Sequence, residues 1–82
     1  MEIIITKRAQ KNLVAIALAD RKKIVAKIEL YAANAQALAN QVKQLKGDPL
    51  LRLRVGDYRV LFTADGIVMV VERVGHRREI YR

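Results

Sequence analysis

The 82-residue chain has no cysteine and no tryptophan, a single histidine (His76), one proline and four glycines. Without cysteine there are no disulfides, no thiolate nucleophile and no zinc-ribbon chemistry. One histidine cannot build a histidine-rich metal site, and the eight acidic residues are scattered along the chain. No metal and no other cofactor is therefore expected. Aromatic residues make up only 5% of the sequence, so the stacking platform of single-strand binders is missing. No apolar run is long enough to span a bilayer, because charges interrupt each one. The N-terminus lacks a basic leader followed by an apolar run and a cleavage site. These features read as a cytoplasmic, unprocessed protein with no membrane partner.

What is present is positive charge. The formal net charge is +8 and the sequence pI about 10.3. Such an imbalance points to a polyanionic partner, usually nucleic acid, or to an acidic protein. More than half of the residues are hydrophobic (52%), which excludes a disordered chain. A chain of this length holds one modest core, so a single domain over residues 1–82 is expected.

The most informative stretch is Leu50 to Arg82. Turn signals at Gly56-Asp57 and Asp65-Gly66 divide it into runs that alternate apolar with polar residues, the pattern of an antiparallel meander with one buried face. Two-residue loops at both turns would set Arg54 opposite Arg59, Phe62 opposite Met69, Val60 opposite Val71 and Arg59 opposite Glu72. Leu51, Leu53, Val60, Phe62, Met69 and Val71 would then face the core, with Arg52, Arg54, Arg59 and Glu72 on the other side. Like charges facing each other destabilise a sheet. Arg54 against Arg59 is therefore a local conflict of the kind found at functional sites. A bound phosphate would resolve it, since the guanidinium fork matches phosphate geometry. A solvated outer face with Glu72 as counter-ion is the other reading.

Upstream, residues 2–6 read as a short strand and Thr6 as the cap of a helix over 7–19. Asp20 is a candidate cap for a second helix ending near Ala33. Arg21, Lys22 and Lys23 then carry the wrong sign for the first turn. Residues 34–46 read as a partly helical or irregular connection ending in the turn Lys46-Gly47-Asp48-Pro49. The fold class is thus α+β: a short N-terminal strand and a two-helix hairpin packed on one face of a twisted antiparallel sheet, with the arginines on the other face.

After the third strand of the meander, Gly75 lets the chain turn and Ile80 offers an apolar anchor. One small area could then collect Arg52, Arg54, Arg59, Arg77, Tyr81 and His76. Such a cluster can cleave RNA without metal, because the nucleophile is the RNA's own 2′-hydroxyl. The protein supplies a base, cations for the phosphorane and an acid for the leaving oxygen. Tyr81, with its acidity raised by arginines, and His76 are the candidate bases. Plain nucleic-acid or protein binding remains the alternative.

The segments Leu51-Arg52-Leu53-Arg54-Val55-Gly56-Asp57-Tyr58-Arg59-Val60 and Val74-Gly75-His76-Arg77-Arg78-Glu79-Ile80-Tyr81 resemble the RelE/ParE superfamily of bacterial toxins, and most closely its RelE branch. The N-terminal Ile5 to Leu13 pattern and Leu45-Lys46-Gly47 fit as well. The resemblance implies a RelE-like fold and the toxin of a type II toxin–antitoxin pair. It further implies a ribosome-dependent endoribonuclease, or mRNA interferase, that cuts mRNA in the A site, and a cognate antitoxin with an acidic wrapping segment. Operator DNA would be met only through the antitoxin complex. By position, Arg59, Arg77 and Tyr81 take the catalytic roles, and Lys46, Arg52, Arg54, His76 and Arg78 the substrate-binding ones. One basic strand position of the family falls at Leu50, and the tail between Arg77 and Tyr81 is two residues shorter. The ParE branch, which poisons DNA gyrase, and a catalytically weak corepressor are the alternatives within the same superfamily.

Overall fold

The computed structural model describes residues 1–44 and 46–80. Strand β1 (Glu2–Ile5) leads into helix α1 (Lys7–Val14). Thr6 caps α1 as expected, its Oγ1 accepting from the Ala9 amide at 3.1 Å. The helix is shorter than its apolar stripe suggested. It stops at Val14, and a bend through residues 15–17 turns Ile16 toward the core.

Helix α2 (Leu18–Ala33) begins earlier than expected, with Ala17 and not Asp20 at its cap. Asp20 lies in the first turn, where a carboxylate still suits the helix dipole. The adjacent Arg21 serves the preceding helix. Its Nη2 donates to Ile16 O at 3.1 Å and Val14 O at 3.5 Å, carbonyls that the end of α1 leaves without helical partners. Ile24, Ile28, Tyr31 and Ala32 form the buried stripe of α2, and Tyr31 meets Phe62 edge-on at 4.8 Å.

The connection after α2 carries more structure than its sequence suggested. A 3-10 segment (Ala35–Gln41) buries Leu38, and a three-residue strand β2 (Val42–Gln44) follows. The meander is β3 (Leu51–Val55), β4 (Tyr58–Ala64) and β5 (Val68–His76). The sheet has five strands in the order β1-β5-β4-β3-β2, with β1 parallel to β5 and the other pairs antiparallel. It is therefore mixed, with the expected meander at its centre and a strand added on each side. The helices cover one face. Leu53, Val60, Phe62, Met69 and Val71 lie in that core as expected, joined by Val55 and Val74.

The β3–β4 register is the expected one, with Arg54 opposite Arg59 and Val55 opposite Tyr58. The β4–β5 register differs, for two reasons. The second turn takes four residues: Asp65 Oδ1 accepts from the amides of Ile67 (2.9 Å) and Val68 (2.8 Å), so Ala64 pairs with Met69. The pairing then slips between Leu61 and Phe62, leaving Glu72 as an extra residue in β5. Phe62 consequently faces Val71, Val60 faces Val74, and Arg59 faces Gly75 where Glu72 had been expected.

A cationic groove on the open face of the sheet

These registers determine what lies on the face away from the helices. Partners directly opposite in a ladder point to the same side. Lys43, Arg52, Leu61 and Arg73 thus form one row across four strands, and Arg54, Arg59 and Gly75 form the next. Two like-charge pairs, Lys43 with Arg52 and Arg54 with Arg59, stand side by side. In the expected register the Glu72 carboxylate would have faced Arg59. The bulge instead moves Glu72 to a separate hollow with Thr6, Arg8, Leu50, Leu61, Thr63 and Arg73, and its carbonyl accepts from Thr6 Oγ1 at 3.2 Å.

Between the cations lies a groove of about 180 Å³ lined by Asn40, Gln41, Lys43, Arg52, Arg54 and Arg59, with no acidic side chain in its wall among the described residues. Arg59 is held in place there. Its Nη1 donates to the carbonyls of Gly56 and Tyr58, each at 2.9 Å. Both acceptors belong to its own hairpin, so the guanidinium plane is fixed before any ligand arrives. Arg54 is exposed. Cations crowded on a rigid sheet with amide donors beside them make an anion-binding surface.

Arg77 reaches the same hairpin from the other end. Its amide donates to Asp57 O at 2.7 Å and its Nε lies 3.4 Å from Asp57 Oδ1, an exposed ion pair. Arg59 and Arg77 thus share the Gly56-Asp57 turn, although Arg77 does not line the groove. His76 does not join them, contrary to expectation. It pairs with Tyr58 across the ladder on the helix-covered face, their rings edge-to-face at 5.7 Å, and its Nδ1 accepts from the Arg78 amide at 3.2 Å. Tyr58 is half-buried there and donates to Asp20 Oδ2 at 3.4 Å. Burial, and then the Asp20 carboxylate, push its phenol above the ordinary value. Lys46 and Arg78 are exposed in turns outside the groove. Tyr81 lies outside the described residues. Among the described residues, no three side chains of His, Asp or Glu type converge to hold a metal. No helix among them is long and apolar enough to cross a membrane.

The ParE toxin family of type II toxin–antitoxin systems (parDE) matches residues 3–81. The chain belongs to that family. It is therefore the toxin of a type II toxin–antitoxin system. This ParE-family toxin is 31% identical to a chain of the RelB–RelE antitoxin–toxin complex from Methanococcus jannaschii. The match has a TM-score of 0.73 over 95% of this chain and 94% of that one. The isolated Escherichia coli RelE toxin shares its fold at 23% identity and a TM-score of 0.70, over 98% and 89% of the two chains. The chromosomal ParDE system of Pseudomonas aeruginosa does so at 20% identity and 0.72, over 93% and 95%. No curated protein matches.

Asn40, Gln41 and Lys43 are groove residues of this toxin that sequence reasoning had left in an irregular connection. The available signal was the Val42-Lys43-Gln44 alternation. It is three residues long, and Val42 also continues the helical spacing of Ile28, Tyr31, Ala35 and Leu38.

Proposed function

We propose that this toxin is a metal-independent mRNA interferase, acting in the cytoplasm on mRNA in the ribosomal A site and neutralised by a cognate antitoxin. The observation that carries the reading is the groove: two adjacent like-charge pairs, Lys43–Arg52 and Arg54–Arg59, around a space whose described walls hold no carboxylate side chain. The likeness to the RelE complex at 31% identity supports it. In this reading the RNA 2′-oxygen attacks the adjacent phosphorus and loses its proton to a base. The 5′-oxygen leaves with a proton, giving a 2′,3′-cyclic phosphate and a 5′-hydroxyl. Arg59, already oriented by two backbone carbonyls, stabilises the charge that grows on the phosphorane, and Arg77 assists from the hairpin rim. Arg52, Arg54 and Lys43 hold the flanking phosphates, with Lys46 and Arg78 outside the groove. His76 lies on the opposite face, so the base is assigned to Tyr81. The antitoxin's wrapping segment is acidic, in keeping with the charge of +8, and operator DNA is met only through the complex.

The match to the ParE family favours one other reading, a toxin that poisons DNA gyrase. Primer extension on ribosomes stalled on a defined mRNA, with EDTA present, separates the two. Discrete A-site cuts that Tyr81→Phe slows strongly are expected. A protein that arrests growth without cutting RNA belongs to the gyrase reading.

A further inference from the structure

One wall of the groove carries no charge. Asn40 and Gln41, the last residues of the 3-10 segment, stand there beside the cations. Gln41 is half-buried and held from behind: Lys27 Nζ, on α2, donates to its Oε1 at 3.1 Å. An ammonium has donors only, so the carboxamide must turn its oxygen and not its nitrogen to Lys27. Nε2, with two hydrogens, is then the group that Gln41 offers to a ligand.

A space of about 180 Å³ admits a phosphate and part of its nucleotide, not a longer strand. Among the described residues no aromatic ring lines it, so those residues recognise a base at its edge by hydrogen bonds and not by stacking. A free carboxamide reads adenine by donating to N7 while accepting from the N6 amine. With Oε1 engaged by Lys27, that pairing is disfavoured. A donor pair instead matches an edge made of acceptors, O6 and N7 of guanine or O4 of uracil, and opposes the exocyclic amines of adenine and cytosine.

We infer that Gln41, set in orientation by Lys27, makes the groove select a keto base, guanine or uracil, in the nucleotide whose phosphate the arginines hold. Gln41 is the specificity-determining residue and Lys27 its positioning residue. The inference rests on the RNA-cleaving reading above.

The test is primer extension with the full chain and ribosomes carrying A-site codons that differ at single positions. The unaltered chain should cut at guanine or uracil about tenfold more often than at adenine or cytosine at one codon position. Gln41→Ala should even out the four bases there. Lys27→Met frees the amide to turn over and should restore cutting at adenine, whereas Lys27→Arg should keep the keto preference. Melting temperatures check that each variant is folded. Equal cutting of the four bases by the unaltered chain overturns the inference, as does a keto preference that survives in both Gln41→Ala and Lys27→Met. In either case the nuclease reading stands. A chain that makes no cuts overturns that reading and this inference with it.

Discussion

Ile80 rests on Gly75: a Cβ built at Gly75 would lie 3.0 Å from Ile80 Cδ1. Gly75 does not have a positive φ, so the close approach of Ile80, not a turn conformation, accounts for the absent side chain. Gly75 is also the cross-strand partner of Arg59, and Ile80 is 2% exposed although the three residues before it are exposed. One side chain thus pins the turn over residues 77–80 onto the arginine face. Ile80→Ala should cost about 2 kcal/mol, the low end for truncating a buried isoleucine, and should weaken growth arrest further by loosening the tail. Gly75→Ala should be mildly destabilising, because the buried Ile80 Cδ1 must give way by a few tenths of an ångström. Thermal melts paired with a growth assay check both. Full toxicity in a folded Ile80→Ala protein would show that the anchor has no part in activity.

Arg59→Ala removes two hydrogen bonds to the carbonyls of Gly56 and Tyr58, a net loss of about 1 kcal/mol for a partly exposed group. It also relieves the repulsion with Arg54, worth roughly 0.2–1 kcal/mol. The two effects nearly cancel, so the fold should survive with a stability change within about 1 kcal/mol while toxicity disappears. Unfolding of the variant would assign Arg59 a structural role instead.

Asp57 holds Arg77 by its carboxylate and by its main-chain carbonyl. The ion pair is exposed, with the two side chains 50% and 69% accessible, so Asp57→Asn should change stability by less than about 1 kcal/mol. It leaves the carbonyl contact in place and frees the guanidinium for RNA. RNA affinity at low salt should therefore rise, and the gain should shrink as salt is added. Affinity lower than that of the unaltered chain would show that the carboxylate orients Arg77 and does not compete for it.

The amides of Val68 and Ile67 hold the Asp65 carboxyl below its ordinary pKa. A group depressed by folding adds stability that is complete above its unfolded value and is lost as pH falls through the folded one. The turn over residues 65–68 should therefore keep its amide protection through the ordinary carboxylate range and open only below it. Hydrogen exchange at Ile67 and Val68 across an acid series reads this out, and Asp65→Ala should abolish the protection at every pH. Loss of protection at the usual aspartate pKa would contradict the bonds described here.

The alternation of β3, β4 and β5 was legible in the sequence, and so was the Arg54–Arg59 conflict, because faces follow from a period of two and a tight turn leaves one register. Beyond Asp65 that logic failed by small integers. A turn enlarged by the Asp65 carboxylate preserves the faces, so nothing in the pattern betrays it. The Glu72 bulge follows a well-behaved alternation and only then makes Val74, and not Arg73, the next core-side residue. The parallel pairing of β1 and the strand at Val42–Gln44 join residues far apart or too few to leave a periodic trace. The placement of His76 was missed for the same reason as the register: counted through the bulge, it falls opposite Tyr58 and beneath the helices.

The parallel strand at the start of the chain also bears on timing. Glu2–Ile5 pair with Val68–Val71, and the Thr6 amide donates to Val71 O at 3.1 Å. During synthesis the first strand waits, unpaired and apolar, until Val68–Val71 are available. Strand β5 is the neighbour that both β1 and β4 require, so a shortened chain lacking it could complete neither side of the sheet. The arginine groove lies on strands that precede β5, but the sheet that carries it closes only when β5 pairs with β4.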